Sequence, residues 1–187
     1  FCFGFGQVAK YFIKKIVTEK QAIELNVSSR KKNHTLKFEG LNLNSYEFND
    51  EKIDKNINSK IQDADFILVS IPPINDEDIV LKNLKEVIKK TKTKWITYLS
   101  ATSVYGNHDG AWVNENSETK PKSISGIKRL QAENQWLKFS NENKLPLQIF
   151  RLSGIYSVEN NILKRLLSGQ AKIVKKKNHF FSRIHVE

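Results

Sequence analysis

The sequence begins FCFGFGQVA (residues 1–9), which predicts the end of a buried strand, a glycine turn and the first turn of a helix. Gly4 permits the tight turn, and Gly6 lets the main chain approach a pyrophosphate. The free N–H groups of Gln7 and Val8 would face the phosphates at the positive end of the helix. An ordinary strand-to-helix turn has the same pattern, so the rest of the chain decides between the two interpretations.

The length of the chain suits one domain, because 187 residues can bury a sizeable core. The sequence contains no methionine, and it stops at RIHVE (residues 183–187) without a polar tail. We therefore expect a fragment of a longer protein, which lacks a few N-terminal residues and a C-terminal stretch.

The net charge of +11 and the pI near 9.6 allow a nucleic-acid or anionic-membrane partner. However, few lysines form stripes with interleaved aromatic residues, and the densest run, residues 175–177, precedes Asn178 as at a hairpin tip. We interpret the charge as solvated surface that also favours an anionic small molecule, and we expect no nucleic acid and no membrane as partners. A nucleic-acid-binding module remains the alternative.

The single cysteine, Cys2, excludes an internal disulfide and fits the reducing cytoplasm, where we expect the protein. It lies in an apolar strand and is interpreted as a small core residue. No apolar run approaches the ~20 residues of a membrane span. The histidines have no metal-ligand spacing, and no Cys/His cluster exists, so we predict no metal site.

Strand and helix periodicities alternate along the chain. The predicted strands are residues 1–3, 23–27, 41–48, 66–69, 95–99, 147–150, 171–174 and 180–186. The predicted helices are residues 8–16, 51–61, 80–88, 125–141 and 160–168, the third with an acidic start at residues 76–78. This order predicts a doubly wound parallel α/β sheet with right-handed crossovers.

Ligands on such a sheet bind outside the carboxyl ends of the strands. Ser28, Ser29 and Arg30 follow the second strand, and Arg30 has about the ~20-residue spacing expected after the glycine turn. A guanidinium can hold a 2′-phosphate bidentately, so these residues predict NADP rather than NAD, although a solvated basic turn is the alternative. Ser70 and Pro72 follow the fourth strand, where a rigid bend would lie along the adenosine, or would simply end the strand.

Five segments together resemble the NAD-dependent epimerase/dehydratase group of the extended short-chain dehydrogenase/reductases. They cover nearly the whole chain and occur in the order of that family. In sequence they are GFGQVA (residues 4–9), LSATSVYG (99–106), SGIKRLQAE (125–133), RLSGIY (151–156) and RIHVE (183–187).

The resemblance implies a Rossmann-like NAD(P)-binding domain over residues 1–157 and the beginning of a small C-terminal substrate lobe over residues 158–187. It also implies that the cofactor passes Ser100, Arg129 and Gly154. The expected substrate is a small molecule such as a nucleotide-sugar.

The chain departs from the family at the catalytic pair, a Tyr followed four residues later by a Lys. Ser125 stands at the Tyr position and Arg129 at the Lys position, while Ala101, beside Thr102, aligns with the helper serine. A serine hydroxyl is far too weak an acid to replace a phenol. Arg cannot deprotonate, but it can still bind ribose hydroxyls or phosphate. The chain thus resembles the atypical branch of the family.

Another side chain could move a proton. His108 has a suitable intrinsic pKa and lies beside Asp109 in a long polar loop, residues 100–123, over the expected substrate crevice. A solvated loop histidine is the alternative. Glu115 is a further candidate, and Trp112 could stack on a base or sugar, or anchor the loop.

Two functions therefore stay open. One is an NADP-dependent oxidoreductase or epimerase, in which Thr102 orients a substrate oxygen, the loop around His108 supplies the acid, and Arg129 contacts the cofactor. The other is a non-catalytic NADP-binding sensor or scaffold, which the missing Tyr/Lys pair favours.

Overall fold

The computed structural model describes residues 1–19, 22–74, 77–172, 175 and 180–187. The strands are β1 (Cys2–Phe3), β2 (Asn26–Ser29), β3 (His34–Phe38), β4 (Leu41–Glu47), β5 (Phe66–Val69), β6 (Trp95–Ala101), β7 (Leu147–Leu152), β8 (Gly154–Tyr156) and β9 (Arg183–His185). The helices are α1 (Gln7–Thr18), α2 (Asn56–Gln62), α3 (Ile79–Ile88), α4 (Ile124–Asn143) and α5 (Ile162–Leu167). A 3-10 helix at Thr102–Val104 follows β6.

Seven strands form one sheet in the order β3-β4-β2-β1-β5-β6-β7. Neighbouring strands are parallel, except for the antiparallel pair of β3 and β4 at one edge. The strand order reverses between β1 and β5, so a crevice opens there at the carboxyl ends of the strands. The predicted doubly wound parallel α/β class is confirmed.

Strand β5 is buried on both faces of the sheet from Ile67 to Val69. Ile67 and Val69 pack into the cluster that α2, α3 and α4 cover, whereas Leu68 packs on the opposite face with Cys2 and Ala9 beneath α1. This two-sided burial explains why β5 is a continuous apolar run rather than an alternating one.

The predicted boundaries of two elements are wrong. The second strand does not begin at residue 23 but covers Asn26–Ser29, because only these residues pair with β4. The helix predicted from residue 51 begins at Asn56, because Ile53 forms a β-bridge with Phe48.

The edge strand β3 was not predicted. Its residues pair with β4 from His34↔Ser45 to Phe38↔Leu41, and its side chains are exposed or half-buried, so its apolar pattern is weak. The acidic start of α3 consists of the capping residue Asp78 and the exposed Glu77, while Asp76 lies outside the described residues.

The C-terminal segment contains a second, two-stranded parallel sheet of β8 and β9. The division at residue 157 and the substrate lobe remain predictions. Strand β8, which precedes residue 157, pairs with β9, which follows it. The last predicted strand shortens to Arg183–His185. Most of the predicted strand and turn at residues 171–178 lies outside the described residues, as does His179.

Candidate functional site

The glycine turn is fixed by the ends of three neighbouring strands. Gly4 has a φ of 84°, and a Cβ there would lie 2.6 Å from Cγ2 of Ile71, so only glycine fits. The Gly4 N–H donates to Oγ of Ser28 at 3.2 Å. The Ser70 hydroxyl donates to the carbonyl oxygens of Phe3 and Gly4, each 2.9 Å away. The predicted residues Gly4, Ser28 and Ser70 therefore meet in one hydrogen-bonded turn.

The N-terminus of α1 is open above this turn. Gly6 is the N-cap, has extended backbone angles and makes no side-chain cap. The first intrahelical bond runs from the Lys10 N–H to the Gly6 carbonyl oxygen at 3.0 Å, so the N–H groups of Gln7 and Val8 have no acceptor within the helix. A Cβ on Gly6 would meet no atom within 4 Å. The turn therefore leaves space and free donors for an anion.

A short segment after β8 lies against the beginning of α1. The Asn160 amide donates to Oε1 of Gln7 at 3.4 Å, and the Tyr11 hydroxyl donates to Oε2 of Glu159 at 2.5 Å. This hydrogen bond raises the pKa of Tyr11 and lowers the pKa of Glu159. Sequence reasoning did not foresee the contact, because it joins residues about 150 positions apart.

The end of β2 presents the residues predicted to select the cofactor. Ser28 is buried, and the Ser29 hydroxyl accepts a hydrogen bond from Ser45 at 3.1 Å. Arg30 is exposed, and no acidic side chain in the described ranges lies within 4.0 Å of its guanidinium. The Arg30 carbonyl oxygen accepts from Asn49 at 3.4 Å, so its backbone is held while its side chain is available.

A pocket of about 490 Å³ separates the bend after β5 from the start of α4. It brings together the predicted cofactor residues Pro72 and Arg129 with Ser125, and Pro73 and Lys128 complete much of its wall. The resemblance assigns Ser125 and Arg129 to the positions of the family's Tyr/Lys pair, and this assignment remains a prediction. Ser100, a predicted cofactor residue near the carboxyl end of β6, is buried.

A hydrogen bond to the main chain of β6 holds Arg129. Its Nη1 donates to the Leu99 carbonyl oxygen at 2.6 Å. Asp78 lies buried nearby and caps α3 by accepting from the N–H groups of Val80 and Leu81, both at 3.0 Å. Burial raises the pKa of Asp78, and the charge of Arg129 is among the effects that pull this pKa back down.

Tyr98 completes this buried polar group, and burial raises the pKa of its phenol. Sequence reasoning missed both buried groups. The sequence indicates Asp78 only as part of an acidic helix start, and Tyr98 only as part of a strand. A Ser/Asp-type cap signal before an apolar helix could have identified Asp78.

The loop between β6 and α4, residues 102–123 (the β6–α4 loop), contains the remaining candidates. His108 Nε2 donates to the carbonyl oxygens of Tyr105 and Glu118, each 3.1 Å away, so this nitrogen carries a proton and ties the loop to itself. Thr102 lies half-buried in the 3-10 helix, at the carboxyl end of β6. Trp112 is fully exposed, at 101 %, so it does not anchor the loop.

Gly154 lies in the small second sheet rather than in the main one. Its N–H donates to the Ser182 carbonyl oxygen at 3.1 Å, and the Arg183 guanidinium occupies the space that a side chain there would need. The predicted cofactor contact at Gly154 and the catalytic roles of Thr102 and His108 remain predictions.

The described ranges contain no candidate for a metal site or for a membrane-spanning helix. In these ranges no three His, Cys, Asp or Glu side chains gather in a way that could hold a metal ion. None of the helices described is both long enough and apolar enough to cross a membrane.

No protein-family model matches the chain, and a search of curated proteins gives no significant match. Solved structures do match. A conserved protein of unknown function from Silicibacter pomeroyi DSS is 29% identical, with a TM-score of 0.79, over 99% of this chain and 62% of that one. UDP-glucuronic acid 4-epimerase from Bacillus cereus, in complex with NAD, is 17% identical, with a TM-score of 0.70, over 90% of this chain and 62% of the epimerase.

UDP-N-acetylglucosamine 4-epimerase from Methanobrevibacter ruminantium M1, in complex with UDP-N-acetylmuramic acid, is 15% identical, with a TM-score of 0.75. That match covers 99% of this chain and 68% of the epimerase. The chain thus spans about two thirds of the length of these structures. It has the fold of the NAD-dependent UDP-sugar 4-epimerases, as its sequence motifs predicted.

Proposed function

We propose that this protein binds a nicotinamide dinucleotide across the crevice between β1 and β5. The uncapped N-terminus of α1, above a turn that Ser28 and Ser70 hold, is the observation that carries the proposal. The free N–H groups of Gln7 and Val8 would bind the pyrophosphate, and the open space beside Gly6 would admit it. Pro72 and Arg129 would contact the cofactor farther along the crevice.

The preferred form of the cofactor is NADP, although the UDP-glucuronic acid 4-epimerase named above is in complex with NAD. Arg30 is exposed at the end of β2, where a guanidinium can grip a 2′-phosphate, and Ser29 lies beside it. An acidic residue, which would favour the ribose hydroxyl of NAD, is absent from residues 28–32.

Fluorescence titration of the protein with NADPH and NADH tests this cofactor assignment. Arg30→Ala should weaken the binding of NADPH by about tenfold and that of NADH much less, because only NADPH has the 2′-phosphate. Lys37→Ala, which removes another exposed cation on β3, serves as the matched control. Equal weakening of both cofactors would refute the 2′-phosphate contact, and no binding of either by the wild-type protein would remove the whole proposal.

We further propose a small-molecule substrate of the nucleotide-sugar class and an oxidoreductase or epimerase reaction. A bound nicotinamide supplies hydride exchange at a carbon of the substrate. Thr102 would orient a substrate oxygen, and Arg129 would present a fixed cation that cannot deprotonate. His108 could exchange a proton only at Nδ1, since its Nε2 donates to two backbone carbonyls.

The second candidate function is a non-catalytic sensor or scaffold that binds NADP. Ser125 and Arg129 favour it, because neither can replace the phenol and ammonium of the family's catalytic pair. Turnover of NADPH or NADP over a panel of UDP-sugars and carbonyl compounds distinguishes the two candidates. Turnover that survives His108→Ala would exclude His108 as the acid, and cofactor binding without any turnover would favour the sensor.

A further inference from the structure

Glu133 and Arg151 form a buried ion pair that joins α4 to β7. Nε of Arg151 lies 3.1 Å from both carboxylate oxygens of Glu133, and Nη2 lies 2.8 Å from Oε2. The Glu133 side chain is 1% exposed and that of Arg151 20%. The hydrogen bonds to Glu133 raise the pKa of Arg151.

The same guanidinium contacts the β6–α4 loop on its other side. Its centre lies 4.8 Å from the ring centroid of Tyr105, and Nη1 donates to the Glu115 carbonyl oxygen at 3.5 Å. Tyr105 in turn accepts two hydrogen bonds at its carbonyl oxygen, from His108 and from the Lys120 N–H. The guanidinium of Arg151 on β7 therefore contacts α4 and two separate points of the β6–α4 loop.

Such a pair is a costly way to hold a helix against a strand, because removing two charges from water offsets most of their attraction. Its distinctive property is geometric. A guanidinium that is fixed on both carboxylate oxygens has a fixed plane, and Tyr105 must stack on that plane. The position of the loop therefore depends on the orientation of Arg151.

We propose that Glu133, Arg151 and Tyr105 are positioning residues, which fix the β6–α4 loop over the substrate side of the crevice. The proposal rests on the proposed function, because it assigns this loop to the sugar-nucleotide and not to the dinucleotide. The glycine turn is held by hydrogen bonds with Ser28 and Ser70, and the hydrogen bonds described for Glu133, Arg151 and Tyr105 involve neither residue. Substitutions in the group of Glu133, Arg151 and Tyr105 should therefore release the β6–α4 loop and leave the cofactor site intact.

Four variants test the proposal. Arg151→Lys keeps the charge but loses the fork and the flat face, and Tyr105→Leu removes the ring together with its hydroxyl, which interacts with Arg151. Tyr105→Phe restores that ring, and Glu142→Gln is the control, since it breaks an exposed pair with Lys138 on the same helix. The measurements are amide hydrogen exchange within the β6–α4 loop, NADPH affinity, and UDP-glucose affinity in the presence of NADPH.

We expect exchange in the loop to accelerate and UDP-glucose affinity to fall about tenfold in Arg151→Lys and Tyr105→Leu, with NADPH affinity unchanged. Tyr105→Phe and Glu142→Gln should resemble the wild type. Unchanged exchange in the loop, or a parallel loss of NADPH affinity, would overturn the proposal. If the wild type binds NADPH but not UDP-glucose, the substrate assignment fails, and exchange in the loop still decides the positioning role.

Discussion

Arg129 donates from Nη1 to the carbonyl oxygen of Leu99 at 2.6 Å, which ties α4 to the carboxyl end of β6. Arg129 also lines the pocket that Ser125 and Pro72 line. Arg129, which the resemblance assigns to the family's Lys position, therefore has a structural partner of its own.

Replacing Arg129 should cost stability as well as affinity for the cofactor. We expect Arg129→Ala to lower the free energy of unfolding by about 1–3 kcal/mol, because the Leu99 carbonyl loses its charged donor and buried Asp78 loses a nearby positive charge. Urea unfolding measures the change. Lys138→Ala, on the exposed side of α4, should stay within about 0.5 kcal/mol. An Arg129→Ala effect as small as this control would contradict the structural role.

Alanine substitutions at Gly6 and Gly40 should have opposite effects on stability and on NADPH affinity. Gly6→Ala should fold with a change below about 0.5 kcal/mol, because its φ is −83° and its Cβ would meet nothing within 4 Å. Gly6→Ala should nevertheless weaken the binding of NADPH at least about tenfold, since the methyl group would lie where the pyrophosphate approaches. Gly40→Ala, at a φ of 79° in the β3–β4 hairpin, should lose about 1 kcal/mol of stability and keep NADPH affinity.

Thermal unfolding and NADPH titration of both glycine variants provide the measurements. Normal NADPH binding by Gly6→Ala would place the phosphates elsewhere.

Asp78 should make stability depend on pH. Burial raises its pKa in the folded protein, so the folded state binds this proton more tightly than the unfolded state, and the contribution to stability falls as pH rises through the folded pKa. Asp78→Asn keeps a capping side chain without this titration. The variant should therefore gain stability relative to the wild type as pH rises from about 4 to 7.

Urea unfolding across this pH range measures the difference. Glu77→Gln, at the exposed neighbouring carboxylate, is the control and should run parallel to the wild type. Asp78→Ala should also lose about 1 kcal/mol, because the N–H groups of Val80 and Leu81 lose their cap. Parallel pH profiles for the wild type and Asp78→Asn would contradict the assignment.

Cys2 should be unreactive in the folded protein. Burial raises the pKa of its thiol to about 12, so almost no thiolate forms at neutral pH. We expect labelling with an aromatic disulfide reagent only as the protein unfolds in urea, with the labelled fraction following the unfolded fraction. Rapid labelling without denaturant would show that β1 opens in the native state.

Residues close together in sequence were sufficient to predict much of this protein. The glycine turn before α1 and the apolar run of β5 depend on local backbone and burial requirements, and both lie where the pattern predicted. The strand-helix alternation likewise predicted the class of sheet. The exposed edge strand β3 escaped prediction because its stability comes from pairing with β4, and an edge strand needs little apolar pattern.

The sequence by itself determined that Gly4 and Gly6 precede a helix, and its resemblance to the family predicts that Ser125 and Arg129 stand in place of a catalytic pair. Only the tertiary structure decided which distant groups meet them. Ser28 and Ser70 reach Gly4 because β2 and β5 flank β1, and Arg151 reaches Glu133 and Tyr105 because β7 lies beside β6. Such contacts follow from strand order and register, which bring together side chains that no local periodicity relates.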